Sequence, residues 1–215
     1  GGKALVEALE TPIPAPAAGG GCATFLDRLC EALAEAGLGD RDLAVEVPAG
    51  GDDLAVLRAI AAVAAAHGGP DGVFPRVAAK VRCGGLVAEA FPEPARLARL
   101  IAAAGDLGLP LKFTAGLHHP VRHRASDPDV MMHGFLNVIG GAVLARVGGL
   151  AGADLEACLA ETDPAAFTFT DQGFAWREHG VTAAAVARAR ESALPGFGSC
   201  SFLKPRDDLA ALGLL

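Results

Sequence analysis

The sequence predicts an α/β fold built around a parallel sheet, and three observations lead to that prediction. Short apolar runs rich in β-branched residues alternate with longer Ala/Leu/Arg segments of helical period, which is typical of βα units. The predicted strands end at glycine or proline. The chain has 215 residues and is 52% hydrophobic, so it can bury one sizeable core, and we expect a single domain over residues 1–215.

The predicted elements alternate in order along the chain. Strands are expected over residues 4–9, 43–47, 76–82, 111–115 and 196–202, and helices over 24–36, 53–67, 93–104, 134–147, 154–161, 181–192 and 207–212. Residues 167–176 alternate at period two around a turn signal, which favours a small hairpin or a strand with a bent continuation. Thr182 is the expected N-cap of the helix that follows.

The number of strands bears on the architecture. A TIM-barrel-like (β/α) barrel is the expected fold, but a complete one has eight strands and about 250 residues. This chain offers five or six, so the barrel is either incomplete or lacks N-terminal βα units. The Pro/Gly/Ala-rich residues 11–22 are expected to be a flexible or gapped segment.

Composition excludes several classes of partner. Five widely spaced cysteines (Cys22, Cys30, Cys83, Cys158, Cys200) form no C-x-x-C pair, which favours reduced thiols and a cytoplasmic location. The net charge of −7 and the lack of a basic cluster with interleaved aromatics argue against nucleic acid. Nothing resembles a secretion signal, and no apolar run approaches the roughly 20 residues that span a membrane. The composition does not exclude a homo-oligomer.

Two lysines stand at equivalent places on neighbouring predicted strands. Because side chains alternate along a strand, Lys80 and Arg82 share one face, and Lys112 and Thr114 share the matching face of the next strand. Glu46 has the corresponding position on the strand before them. In a barrel this set points into the mouth at the C-terminal end, where active sites lie. We therefore expect these five side chains to form the functional site.

The chemistry of the lysine pair depends on how close the two amines lie. At an effective dielectric of ~20, a pair of ammonium groups about 4 Å apart repels by on the order of 4 kcal/mol, enough to deprotonate one near neutral pH. A neutral lysine attacks carbonyl groups and forms a Schiff base. The alternative is structural or electrostatic: Lys80 and Lys112 pair with Glu46, or they hold an anionic ligand.

Histidines cluster directly after the second lysine strand. His118, His119 and His123 follow it within a few residues, and His133 lies ten residues further on. Histidine suits acid-base catalysis at neutral pH, and His118 and His119 are the candidates for it. A metal site would require Glu46 with two of the histidines. Adjacent histidines on an extended chain point in divergent directions, so His118 and His119 are not expected to bind one ion together; packing of the loop is the third alternative.

The end of the last predicted strand is a candidate anion site. Ser199 and Ser201 supply hydroxyl and backbone N–H groups where many barrels hold a phosphate, and Arg82 is expected nearby. A tight strand end that simply requires small residues explains the same pattern. Cys200 and Cys83 are not indicated as nucleophiles, since neither has an adjacent histidine. Packing is the expected role of Asn137 and Trp176.

Three segments carry a resemblance to a known family. The stretches Lys80-Val-Arg-Cys-Gly-Gly85, Lys112-Phe-Thr-Ala-Gly-Leu117 and Phe197-Gly-Ser-Cys-Ser201 resemble the late strands of deoxyribose-phosphate aldolase, a class I aldolase of TIM-barrel fold. The resemblance implies that Lys80 forms the Schiff base, that Lys112 tunes it, and that Ser199 and Ser201 bind phosphate. The chain departs from that pattern at Arg82, at Cys83, in the His-His-Pro segment and in the long insertion before the last strand.

A second resemblance names no reaction. The pattern Lys-x-Arg-x-Gly-Gly, Lys-x-Thr-Ala-Gly-Leu-His-His-Pro and Gly-Ser-Cys-Ser-Phe is similar to that of a group of uncharacterised bacterial proteins, whose longer members begin with extra N-terminal sequence.

These observations predict a class I lyase, aldolase-like, that acts on a small anionic carbonyl compound without a cofactor or metal. Two alternatives stay open. One is a metal-dependent sugar or sugar-phosphate isomerase or epimerase that uses Glu46 and the histidines. The other is a non-catalytic barrel that binds a ligand at the same mouth.

Overall fold

A computed structural model describes residues 5–14, 21–127, 129–199, 201 and 203–214. The strands, in chain order, are β1 (Ala8–Pro12), β2 (Asp42–Glu46), β3 (Val77–Arg82), β4 (Leu111–Thr114), β5 (His123–Ser126), β6 (Asp129–Met132), β7 (Phe167–Thr170), β8 (Gly173–Trp176), β9 (His179–Thr182) and β10 (Gly196–Gly198). The α-helices are α1 (Cys22–Glu35), α2 (Asp53–His67), α3 (Pro94–Asp106), α4 (Gly141–Gly148), α5 (Gly152–Ala160), α6 (Ala183–Ser192) and α7 (Leu203–Ala211).

The largest sheet has five parallel strands in the order β1-β2-β3-β4-β10. It curls into half of a barrel, and the described residues do not include further strands that would close it. The predicted α/β class with a parallel sheet is therefore confirmed, whereas a complete TIM barrel is not. No helix in the described parts of the chain is long and apolar enough to cross a membrane.

Alternation along the strands gives the sheet one apolar and one polar face. The convex face carries Leu43, Val45, Val81, Leu111 and Phe113, which are all buried in the hydrophobic core. Helices α2 and α3 contribute their own apolar residues to the same core. The alternate residues of the same strands point to the concave face, where the charged side chains lie.

Strands β2, β3 and β4 and helix α2 were predicted closely, because each has a clear local signal. Helix α2 runs over the predicted residues, and Asp52 caps it by accepting a hydrogen bond from the Ala55 amide at 3.0 Å. Strands β3 and β4 differ from the predicted bounds by one residue at one end, and β2 by one residue at each end. The first strand lies later than predicted, at Ala8–Pro12, where it pairs with β2 over its whole length.

The long segment between β4 and β10 was predicted less well. The hairpin predicted over residues 167–176 is confirmed as β7 and β8, but a third strand that was not predicted, β9, extends it into the antiparallel sheet β7-β8-β9. Only two residues, Arg177 and Glu178, connect β8 to β9, and Arg177 has φ of 50°. Such turns favour Asn or Gly, so an Arg-Glu pair gave no turn signal in the sequence. Thr182 caps α6 as predicted, by accepting a hydrogen bond from the Ala185 amide.

Further predictions, in this segment and directly after it, need correction. The helix expected over 134–147 begins as a π-helical turn at Leu136–Gly140 and becomes α-helical only in α4. The antiparallel pair β5-β6 was not predicted, because its sequence lacks apolar alternation. The last strand ends at Gly198 rather than 202, and the closing helix α7 begins earlier, at Leu203.

The predicted flexible segment 11–22 is described only at its two ends. Thr11 and Pro12 belong to β1, and Cys22 begins α1, with its side chain buried. Residues 15–20 lie outside the described residues, as do Cys200 and Phe202 from the predicted last strand.

Candidate active site

The two lysines are direct neighbours in the parallel sheet. Lys80 on β3 is in register with Lys112 on β4, and Glu46 on β2 is in register with Lys80. The prediction that these side chains share one face of adjacent strand ends is therefore confirmed. Lys80 is buried, with only 8% of its surface exposed, while Lys112 is partly exposed.

A carboxylate that the sequence analysis missed links the two lysines. Lys80 Nζ lies 2.6 Å from Glu10 Oε2, and Lys112 Nζ lies 2.7 Å from Glu10 Oε1. Glu10 belongs to β1, and the predicted first strand ended one residue before it. Alternation along β1 puts Glu10 on the opposite face from Leu9 and Thr11, so the sequence could have predicted its face. Nothing in the sequence placed β1 opposite β4.

The Glu10–Lys112 contact also measures how strongly the sheet curls. Strands β1 and β4 are separated by three strand spacings, roughly 14 Å in a flat sheet at about 4.8 Å each. Side chains stand roughly perpendicular to a sheet, so residues three strands apart meet only if the concave face folds inward. The half-barrel therefore brings together charges from β1, β3 and β4.

Glu46 and Arg82 extend this charged group. Lys80 Nζ lies 3.0 Å from Glu46 Oε2, and Arg82 Nη1 lies 3.9 Å from the same oxygen. Two carboxylates thus alternate with three cations on the concave face: Glu10 and Glu46 with Lys80, Arg82 and Lys112. We call these five residues the charged cluster.

The charged cluster shifts the titration of its members. Burial by itself lowers the pKa of Lys80, but its hydrogen bonds and charge attraction to Glu10 and Glu46 outweigh burial, so the pKa is raised. Burial raises the pKa of Glu10, but hydrogen bonds from Lys112 and Lys80 outweigh it, and the pKa is lowered. The expectation that repulsion deprotonates a lysine is thus wrong for Lys80, because a carboxylate lies between the two amines.

A cavity of about 560 Å³ opens beside the charged cluster, at the C-terminal ends of β3, β4 and β10. Its lining includes Glu10, Lys80, Arg82, Thr114, His118 and Ser199. The Thr114 hydroxyl is buried and has no hydrogen-bond partner among the described residues. This cavity lies where ligands bind in parallel α/β folds, outside the carboxyl ends of the strands.

The glycines four residues after each lysine, Gly84 and Gly116, lie in close contact, and Gly116 lines this cavity. A Cβ atom on Gly84 would lie 2.9 Å from the Cα of Gly116, so the two strand-end loops touch and neither tolerates a side chain there. Gly116 also has φ of 72°, and Ala115 before it has φ of 63°, which is uncommon for a residue with a Cβ. Glycine follows each lysine at the same distance along the chain because the loops after β3 and β4 contact each other at Gly84 and Gly116.

His118 and His119 point in different directions, as predicted. His118 borders the cavity, and its Nδ1 lies 3.5 Å from the Ser199 hydroxyl. His119 Nδ1 instead lies 2.6 Å from Asp208 Oδ2 on helix α7, and its ring packs edge-on against His123. Burial and the neighbouring His123 lower the pKa of His119 despite the contact with Asp208. His118 is thus beside the charged cluster, whereas His119 anchors the last helix.

His133 has a structural environment. It is fully buried; Nε2–H donates to the Pro92 carbonyl at 2.6 Å, and Nδ1 faces an Arg122 guanidinium nitrogen at 3.2 Å. Burial lowers the pKa of His133 to about 4, so the ring stays neutral. Its neighbour Asn137 is also fully buried and accepts a hydrogen bond from the Arg122 amide. Both residues hold the histidine segment against the core.

The two serines at the end of β10 differ in their surroundings. The Ser199 hydroxyl borders the cavity and donates to the Ser201 carbonyl at 2.9 Å. The Ser201 hydroxyl accepts a hydrogen bond from the Lys204 amide at 3.1 Å, in the first turn of α7. Ser201 therefore caps a helix, and only Ser199 faces the site. Cys83 is fully buried, and burial raises the pKa of its thiol to about 12, which makes it inert as a nucleophile.

A metal centre finds no support in this arrangement. Within the part of the chain that the structure describes, no group of three His, Cys, Asp or Glu residues is arranged to hold a metal ion. Glu46, which the metal alternative requires, is paired with Lys80 and Arg82 instead.

Comparisons with known proteins do not identify the chain. No protein-family model matches it, and neither the curated proteins nor the solved structures contain a significant match. Function is therefore inferred from the site alone.

Proposed function

We propose that the chain is a class I, aldolase-like lyase in which Lys80 forms a Schiff base with a small anionic carbonyl compound and Lys112 tunes that amine. The observation that carries the proposal is the meeting of Lys80 and Lys112 on one carboxylate, Glu10, beside an open cavity at the strand ends. Schiff-base catalysis requires an amine, a group that accepts its proton, and a site for the substrate.

The first steps follow from the short contact between Lys80 and Glu10. The ammonium group of Lys80 gives one proton to Glu10, 2.6 Å away, and the neutral amine attacks the carbonyl carbon. A second proton moves from nitrogen to the former carbonyl oxygen, and Glu10 returns its proton as this oxygen leaves as water. The product is a positively charged iminium, which Glu46 at 3.0 Å stabilises in the way that it stabilises the ammonium.

Cleavage then requires a base near the iminium. His118 borders the same cavity and accepts the proton of a substrate hydroxyl group, while the electrons of the breaking carbon–carbon bond move to the iminium and give an enamine. The enamine is protonated on carbon, and water releases the second product and regenerates the amine of Lys80. Arg82 and Ser199 line the cavity and hold the anionic group of the substrate.

Reduction of the iminium tests this proposal directly. The protein is incubated with pyruvate, glyoxylate or glycolaldehyde phosphate and treated with borohydride, and peptides are analysed by mass spectrometry. We expect a stable adduct on the peptide that contains Lys80. Lys204, an exposed lysine on α7, is the matched internal control and should carry little adduct. The proposal is contradicted if Lys80 and Lys204 are labelled equally, or if neither Lys80 nor Lys112 carries an adduct.

A second candidate is a non-catalytic barrel that binds anions at the same mouth. The raised pKa of Lys80 favours it, because a lysine that stays charged at neutral pH attracts an anion but does not attack a carbonyl. In that case inorganic phosphate or pyruvate protects the protein against thermal unfolding, the protection is lost in Arg82→Ala, and borohydride traps no adduct at any pH.

A further inference from the structure

A second cavity lies on the opposite face of the same strands. Its floor includes Phe113 on β4 and Phe197 on β10, which are in register on the convex side of the sheet. Phe113 is fully buried, whereas 39% of Phe197 is exposed. The proposed catalytic machinery does not use this cavity, because the charged cluster occupies the other face.

The walls of this cavity are almost entirely apolar. Leu136 and Ile139 of the π-helical turn form one side, and Phe169 and Phe174 of the small antiparallel sheet form another. The π-helical turn matters here because Gly140 lies against the Phe174 ring, where a Cβ atom would be only 2.3 Å from Cζ. Such turns are rare and are often found at functional sites.

The size of the cavity limits its occupant to a small molecule. Its volume is about 220 Å³. An apolar cavity of about 150 Å³ is enough to bind benzene, so this one holds a ligand somewhat larger than a single ring. Leu209 of α7 lines a further side of the cavity.

One charged side chain lines this otherwise apolar space. Arg190, on α6, borders the cavity, and none of the described carboxylates forms an ion pair with it. A guanidinium group at the edge of an apolar cavity complements a ligand with an apolar body and a carboxylate end.

We propose that this cavity is a binding site for a small hydrophobic carboxylate, whose apolar part lies between Phe113, Phe174 and Phe197 and whose carboxylate pairs with Arg190. This site is separate from the proposed lyase activity. Phe113 lies between Lys112 and Thr114 on β4, so the two sites share a strand although they lie on opposite faces.

Calorimetric titration with three probes tests the site. Octanoate supplies both the chain and the carboxylate, octanol supplies only the chain, and acetate only the carboxylate. Because Arg190 is exposed and solvent weakens its ion pair, we expect octanoate to bind about fivefold more tightly than octanol. Acetate should show no binding in the range where octanoate saturates.

Three variants locate the binding. Arg190→Ala should reduce octanoate affinity to that of octanol and leave octanol unchanged. Arg188→Ala removes an exposed arginine two residues away on the same helix and is the matched control, with wild-type affinity expected. Val186→Phe places a ring inside the cavity and should abolish binding of both octanoate and octanol, while thermal unfolding reports that the variant is folded.

Several outcomes overturn this inference. They are the absence of octanoate binding to the wild-type protein, equal affinity of the wild-type protein for octanoate and octanol, unchanged octanoate affinity in Arg190→Ala, and binding of either probe to folded Val186→Phe. None of these measurements depends on turnover or on Lys80, so the failure of this site and the failure of the proposed lyase activity are distinguishable.

Discussion

The two faces of β3 and β4 are built from alternate residues of the same strands and are held by different forces. On the convex face, Val81, Leu111 and Phe113 are buried in one apolar core. On the concave face, Lys80 and Lys112 are held by ion pairs with Glu10 on β1. Apolar burial is non-directional, so it does not require one particular arrangement of neighbouring side chains. The ion pairs, in contrast, require three strands to meet in one geometry. The comparison indicates that the convex face contributes most of the stability, whereas the concave face carries the residues of the proposed site.

The largest expected effect on stability is on the convex face. Phe113→Ala removes a fully buried ring and should lower the free energy of unfolding by about 3–5 kcal/mol, because a cavity replaces its contacts. Phe197→Ala, at the paired position of β10, is the matched control and should lose about 1 kcal/mol, since this ring is partly exposed. Urea denaturation measures both variants. Equal losses in the free energy of unfolding would contradict the conclusion that Phe113 packs in the core more fully than Phe197.

A smaller loss of stability is expected from the charged cluster. Lys80→Met keeps an apolar stem of similar length but leaves Glu10 and Glu46 with less compensating charge. We expect a loss of about 2 kcal/mol, below the range of fully buried ion pairs, because Glu10 is partly solvated and keeps Lys112. The same urea experiment measures it, and a variant more stable than the wild type would show that desolvation of Lys80 outweighs its ion pairs.

The pH dependence of stability separates the two faces further. Because the pKa of Lys80 is raised, its contribution is complete below the unfolded value of about 10.4 and is lost as the pH rises through the folded pKa. Because the pKa of Glu10 is lowered, its contribution is present above about pH 4.3 and is lost as the pH falls through the folded pKa.

In Glu10→Gln, both of these losses should shrink, since the variant lacks the carboxylate and Lys80 keeps only Glu46. Thermal unfolding followed from acidic to alkaline pH measures the difference from the wild type, and Phe113→Ala should show the wild-type pH profile at lower stability. Parallel profiles of Glu10→Gln and the wild type would mean that Glu10 makes no net contribution.

The same cluster sets the pH dependence of the proposed reaction. A lysine with a raised pKa must lose its proton before it attacks a carbonyl, so the yield of borohydride-trapped adduct at Lys80 should increase with pH into the alkaline range. In Glu10→Gln the pKa of Lys80 is lower, and the increase should occur at lower pH. A yield that does not change with pH would remove Lys80 as the nucleophile.

The smallest expected effect has the opposite sign. The Thr114 hydroxyl is buried without a hydrogen-bond partner among the described residues, so Thr114→Val should be neutral or should stabilise the fold by up to about 1 kcal/mol. If the hydroxyl serves the substrate, adduct yield at Lys80 should fall in the same variant. A clear loss of stability would instead show that the hydroxyl has a structural role.

Local patterns in the sequence determined much of this protein. Apolar runs, helical period and caps gave helix α2, strands β2 to β4 and the Thr182 cap, because each depends on neighbouring residues only. Alternation along the strands also put Lys80, Lys112 and Glu46 on one face, since the two-residue period of a strand fixes that choice.

Only the tertiary structure decided what these residues meet. The sequence could not place Glu10 between two lysines, because that contact depends on the curl of a sheet over four strands. Nor could it separate His118 at the cavity from His119, which contacts α7, or Ser199 at the cavity from Ser201 at a helix cap, because each pair has residues of the same type within two positions in the chain. Their partners come from distant segments, and long-range packing alone brings those segments together.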